Sequence, residues 1–213
     1  MNPTVAEAED GVSASWLRRI AAECGVAVIA SVPTVLEGSG GTQRVNRCRF
    51  ITPEGPAYFY DKRHLFTTSG EKPAYQCGTR RCTVAWRGWN IELNVCYDLR
   101  FPVWSRNVDN GYDLLVNIAN WPDSRIGAAQ MLLRARAVEN AAYAVFCNRI
   151  GRDALCSYDG KSMILDYVGQ SIARSCRAGG VRFYKASLQM EPLRHYRERF
   201  PVGDDADRFE LLI

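Results

Sequence analysis

Three largely apolar runs, residues 26–32, 112–119 and 142–148, limit what this chain can fold into. Each has the length of a strand, and none alternates apolar with polar residues as a half-solvated strand does. Runs of this kind belong in a sheet covered on both faces. Between the second and third lies a stretch of different period: residues 127–140 carry Met131, Leu132, Ala135 and Val138 at helical spacing. Apolar strands interleaved with helices predict an α/β layered sheet.

The remaining elements follow from local chemistry. A helix is expected from Ser13 or Ser15, as caps, to about Cys24, with Trp16, Leu17, Ile20 and Ala21 on one face. A glycine-rich turn is expected over 37–42. Strands 45–52 and 57–60 form a hairpin that delivers Lys62 just past a strand end. Residues 67–78 read as loop. Residues 82–86 and 89–95 read as a second hairpin joined by Arg87-Gly88. A short helix is expected over 102–107, strands near 162–165, 170–174 and 181–186, and a helix over 190–199.

The 213 residues are expected to form a single domain over 1–213, with the acidic and polar segment 1–12 disordered. That segment has no apolar core of a signal peptide, and no run has the length of a membrane span, so the expectation is a cytoplasmic protein with no membrane partner. A net charge of +4 is too small to argue for nucleic acid. Eight cysteines are scattered without a CxxC pair, which predicts free thiols rather than a zinc site or a disulfide framework.

One of those cysteines is placed differently from the rest. In Leu93-Asn94-Val95-Cys96-Tyr97-Asp98-Leu99-Arg100-Phe101-Pro102 an apolar strand ends on Cys96, a charged turn follows, and Pro102 stops the strand from continuing. Open α/β sheets bind ligands at the carboxyl ends of their strands. Two more stretches flank it in order: Phe59-Tyr60-Asp61-Lys62-Arg63-His64-Leu65-Phe66 before, and Asn117-Ile118-Ala119-Asn120-Trp121-Pro122 after. Taken singly each has a plainer reading. Cys96 is a core cysteine, Lys62 a solvated lysine, Glu71 a loop carboxylate, Trp121 core packing and Arg125 a surface arginine.

Together the three stretches resemble the nitrilase superfamily, the carbon–nitrogen hydrolases. The run from Val95 through Trp104 to Asn107 resembles the omega-amidase-like branch. The resemblance extends from about Trp16 to the end of the chain. It implies a four-layer αββα sandwich that pairs into a homodimer, lacking here the N-terminal strands and first helix. It implies no cofactor and no metal, and a small-molecule amide as partner. Carried residue by residue, it makes Cys96 the nucleophile, Lys62 the oxyanion stabiliser and Glu71 the supporting carboxylate. The Tyr97 backbone N–H becomes a second oxyanion donor. Asn120 and Trp121 edge the pocket, and Arg125 meets a substrate carboxylate. Asp98 and Arg100 form an ion pair fixing the turn, and Glu139 and Asn140 are structural.

The implied reaction is hydrolysis of the terminal carboxamide of a small (2-oxo) dicarboxylic acid monoamide through a thioester. The superfamily's general base is a further glutamate in a Pro-Glu motif, which this sequence does not contain. Two expectations follow: a chain that begins after that strand, and, as the alternative function, an inactive nitrilase-like binding domain.

Overall fold

A computed structural model describes residues 3–38 and 41–212. They form two compact units, Met1–Cys82 and Thr83–Ile213.

The first unit is built on a four-stranded sheet. Its elements in chain order are β1 (Glu7–Ala8), α1 (Val12–Cys24), β2 (Val28–Gly38), β3 (Gly41–Ile51), β4 (Ala57–Asp61) and the single-turn helix α2 (Glu71–Ala74). Strand order follows the sequence, with β1 parallel to β2 and the other pairs antiparallel. Leu17 and Ala21 of α1 pack on Ile51, Val28, Ala30 and Val32. The run expected to be enclosed on both faces is therefore half-buried, and it extends to Gly38. Glu37 and Gly38 pair with Thr42 and Gly41, so those parts of the expected turn are strand. Ser39 and Gly40 lie outside the described residues.

The segment expected to be disordered is ordered over its described residues, because its acidic side chains have partners. Glu7 accepts hydrogen bonds from the Ser13 N–H, at 2.8 Å, and from the Ser13 hydroxyl. Glu9 pairs with Arg47 at 2.6 Å, and its carbonyl accepts from Arg49. The N-cap of α1 is Gly11 and not a serine; Ser13 binds Glu7 instead. The Ser13 hydroxyl and amide hold the Glu7 carboxyl below its ordinary value of 4.5. A depressed carboxyl contributes stability that is complete above the unfolded value and lost as the pH falls through the folded one. Ser13→Ala removes the hydroxyl bond and leaves the amide bond, so in this solvent-screened place it is expected to cost about 0.5 kcal/mol at neutral pH. Urea unfolding from pH 7 down to pH 3 should show that difference closing in acid.

The second unit contains a five-stranded mixed sheet. Its elements are β5 (Thr83–Trp86), β6 (Trp89–Val95), β7 (Leu114–Ala119), α3 (Ile126–Glu139), β8 (Tyr143–Asn148), β9 (Ile150–Arg152), β10 (Ser157–Asp159), β11 (Met163–Leu165), β12 (Arg174–Ala178), β13 (Val181–Lys185) and α4 (Met190–Arg199). The order is β11-β8-β7-β6-β5, with β6, β7 and β8 parallel in the middle. Strands β9 with β10 and β12 with β13 form separate hairpins. Arg87 and Gly88 both have positive φ, at 49° and 79°, which is what a two-residue hairpin turn with the sheet's own twist requires.

Three expectations are corrected here. The buried face of α3 is Ile126, Ala129, Leu133, Arg136 and Ala137, whereas Met131 is 69% and Val138 48% exposed. Ile126, Ala129, Leu133 and Ala137 join Ala119, Ala144, Phe146 and Leu165 in one core cluster, and that contact with the sheet selects the face. Residues 102–107 form successive turns rather than a helix. The helical turn comes earlier, at Cys96–Arg100, and the Asn107 side chain is drawn off to Tyr112 and Asn140. Residues 170–174 hold only a bridge at Ser171, and the strand begins at Arg174. The eight cysteines are free thiols. Among the described residues no helix is long and apolar enough to cross a membrane.

Candidate active site

In the second unit β6 runs into a 3-10 turn, Cys96–Arg100, at its carboxyl end. Cys96 opens this turn with φ 49°, a left-handed conformation uncommon for a residue with a side chain. The surroundings fix it. The buried Asp98 carboxylate accepts the Val95 N–H at 3.0 Å, and Leu99 drops into the core formed by Ala119, Trp121, Ile126, Leu133 and Phe146. Cys96 is half-buried against that same core, with Sγ 3.9 Å from the Asn120 carbonyl.

The other expected residues of this unit are distributed around the turn. Tyr97 packs edge-on to Phe101, with ring centroids 5.1 Å apart. Asn120 is exposed at the end of β7. Trp121 is buried: its indole is edge-on to Phe146, and its backbone N–H donates to Asn148 at 2.7 Å. Its ring N–H donates to the Arg125 carbonyl at 2.9 Å, and the Arg125 side chain is exposed. The Arg100 guanidinium lies over the face of Trp121, 5.1 Å from the ring centroid. Glu139 and Asn140 are structural: Glu139 meets Arg136, and Asn140 holds Asn107.

Sequence reasoning missed the polar residues beneath the turn. Asn94, Asn117 and Asn148 stand inside or at the end of apolar strand runs. Asn94 donates to Ser105 at 2.8 Å, Asn117 to the Cys96 carbonyl at 3.4 Å, and Asn148 to the carbonyls of Trp121 and Gly160. The signal was available, because an amide side chain in a buried strand must be hydrogen-bonded to something.

In the first unit the chain leaves β4 at Asp61, which grips Arg47 through two bonds of 2.7 and 2.8 Å. Lys62 comes next and turns inward. Its N–H donates to the Asn46 carbonyl, and its own carbonyl accepts from Gly78. Its ammonium meets Glu71 at 2.6 Å, with side-chain exposures of 2% and 0%. Glu71 also accepts from the Phe66 N–H at 2.7 Å and from the Asn46 amide at 3.2 Å. The segment expected to be loop places Glu71 at the first position of α2. The charge of Glu71, together with burial, raises the pKa of nearby Tyr75, burial being the larger cause. A buried, oriented ammonium is suited to stabilising an anion that develops during a reaction. His64 is half-buried in the same segment.

The path of this segment depends on Gly78. A Cβ there would stand 2.0 Å from the Asp61 carbonyl oxygen, immediately before Lys62. Backbone cannot yield as a flexible side chain does. Gly78→Ala should therefore destabilise the protein by about 1–3 kcal/mol in urea unfolding, the usual cost of overpacking.

Comparison with known proteins supplies the context for both clusters. Residues 2–197 match the family model described as carbon-nitrogen hydrolase. Omega-amidase YafV of Escherichia coli is 45% identical over 205 residues, covering 96% of this chain and 77% of that protein. The 2-oxoglutaramate amidase of Bacillus subtilis is 32% identical over 200 residues, covering 92% and 75%. A crystal structure of a CN-hydrolase superfamily protein from Xanthomonas campestris, with an arsenic adduct in its active site, matches with a TM-score of 0.86 and 36% identity. That match covers 99% of this chain and 81% of that one.

Proposed function

The chain belongs to the carbon–nitrogen hydrolase family, in its omega-amidase-like branch, and from that premise we propose that Cys96 is the nucleophile with which it hydrolyses small omega-amides. It is an amidase with an α/β nitrilase-like fold. The observation that carries the assignment of Cys96 is its place. It is a half-buried thiol at the carboxyl end of a central parallel strand, in a left-handed conformation that its turn imposes.

The substrate class is the terminal carboxamide of a dicarboxylic acid monoamide, including 2-oxo acids, in line with the 2-oxoglutaramate amidase likeness. The Cys96 sulfur attacks the amide carbon and the carbonyl becomes an oxyanion. The carbon–nitrogen bond then breaks, and ammonia departs with the proton that the thiol gave up. Water cleaves the resulting thioester, giving the carboxylic acid and restoring the thiol. Lys62 supplies positive charge to the oxyanion, the backbone N–H of Tyr97 a second donor, and Glu71 keeps the ammonium oriented. Asn120 and Trp121 border the amide, and Arg125 takes the distal carboxylate as a two-pronged donor. Support for these roles comes from the buried Lys62–Glu71 pair and from the order of the three motifs.

The test is ammonia release from small omega-amides by the 213-residue chain, beside Cys96→Ala. Turnover that disappears in the variant supports the reading. Turnover that survives in it, or a folded parent chain without turnover, contradicts it; the second outcome favours an amide-binding domain.

A further inference from the structure

Arg136 is an expensive residue where it stands. It lies on the buried face of α3 between Leu133 and Ala137, is 3% exposed, and its Nε has no partner. Burying a guanidinium with a donor unsatisfied works against folding. Its two remaining contacts show what it holds. Nη1 meets Glu139 at 2.9 Å, and Nη2 donates to the Leu99 carbonyl at 2.7 Å. Leu99 is the fourth residue of the turn that Cys96 begins. The next N–H in line, of Phe101, goes to the Asp98 carbonyl, and the Leu99 carbonyl receives the guanidinium.

The other end of the turn is held from the sheet. Asn117 on β7 is fully buried and stands in register with Asn94 of β6. Its amide nitrogen donates to the Cys96 carbonyl, while its Oδ1, like that of Asn94, has no partner. An L-residue keeps a left-handed backbone in a non-glycine position only where its surroundings over-determine it. Here a carbonyl at each end of the turn is gripped by a buried side chain from a different element.

We infer that Arg136 and Asn117 are positioning residues for Cys96. By holding the Leu99 and Cys96 carbonyls they lock the turn that aims the thiol, and neither touches the substrate. The inference rests on the reading of Cys96 as nucleophile. Its cost and its benefit fall on different observables, because a misplaced nucleophile lowers kcat while leaving substrate binding largely intact.

The experiment compares Arg136→Met, Arg136→Lys, Asn117→Ala and Glu139→Gln in the full chain. Ammonia release gives kcat and KM, iodoacetamide alkylation of Cys96 is followed against pH by peptide mass, and thermal melts report folding. Arg136→Met and Asn117→Ala should lower kcat by about 10²-fold, the effect of a displacement near 1 Å, with KM within about twofold. They should also slow Cys96 alkylation across the pH range. Arg136→Lys keeps a donor and should recover part of the loss. Glu139→Gln keeps the Leu99 bond and should leave kcat and alkylation unchanged, whatever it does to the melt.

Folded Arg136→Met and Asn117→Ala proteins with parental kcat and alkylation rates would overturn the inference. So would Glu139→Gln matching Arg136→Met in kcat, since both would then act through stability alone. If Arg136→Met does not fold, Arg136→Lys and Asn117→Ala decide in the same terms. Survival of turnover in Cys96→Ala would instead sink the functional reading, and the alkylation rates would still report how the turn is held.

Discussion

Lys62→Met is expected to eliminate amide turnover and to lower stability by about 3–5 kcal/mol, the range for removing one partner of a buried ion pair. The large structural cost arises because Glu71 is left behind. Its carboxylate is fully buried and, among the described residues, would keep the Phe66 N–H and the Asn46 amide as donors. Adding Glu71→Gln removes the stranded charge and keeps one acceptor oxygen, which serves the Phe66 N–H, while the second oxygen, which accepts the Asn46 amide, becomes an NH2. The double variant should regain part of the lost stability in urea unfolding. It should not regain turnover, because the charge for the oxyanion is still missing. Recovery of both together would show that Lys62 serves the fold alone.

Cys96→Ala should behave in the opposite way. Turnover is expected to fall by about 10⁴-fold or more, as when a nucleophile is removed from a catalytic group that acts as a unit. Stability should hardly change. Cys96 is half-buried at the edge of the core, and alanine is close to it in size and backbone preference. Cys96→Ser should lose nearly as much activity, since a hydroxyl is a far weaker nucleophile than a thiolate near neutral pH. The contrast between the two sites separates chemistry from architecture: one variant loses activity and fold stability together, the other activity only.

How much of this was legible in the sequence depends on the range of the interaction involved. The strand that ends on Cys96, the hairpin that presents Lys62 and the helix Met190–Arg199 follow from local patterning. The helix over 126–139 was legible but its buried face was not. Two apolar stripes satisfy the same period, and the choice between them is made by contact with the sheet. The order in residues 3–12 was hidden because Glu7 and Glu9 find partners at Ser13 and Arg47, the latter far along the chain. The same limit applies at the candidate site. The motif around Lys62 suggested an inward lysine, but that Glu71 is buried, and not a solvated loop residue, is decided by Phe66 and Asn46. In the sequence Arg136 is one of two arginines on that helix, with Arg134, and nothing local sets it apart. Its bond to the Leu99 carbonyl spans 37 residues and has no local signature.

Hydrolysis by this route requires Cys96 to form a covalent bond to the acyl group. The most direct measurement is therefore peptide mass analysis of the chain quenched in acid during turnover of a small omega-amide, with a hydroxylamine-treated portion beside it. An acyl adduct is expected on the peptide containing Cys96, absent from Cys96→Ala and removed by hydroxylamine as a thioester is. Ammonia release with no adduct on that peptide, or with an adduct on another residue, would contradict this route.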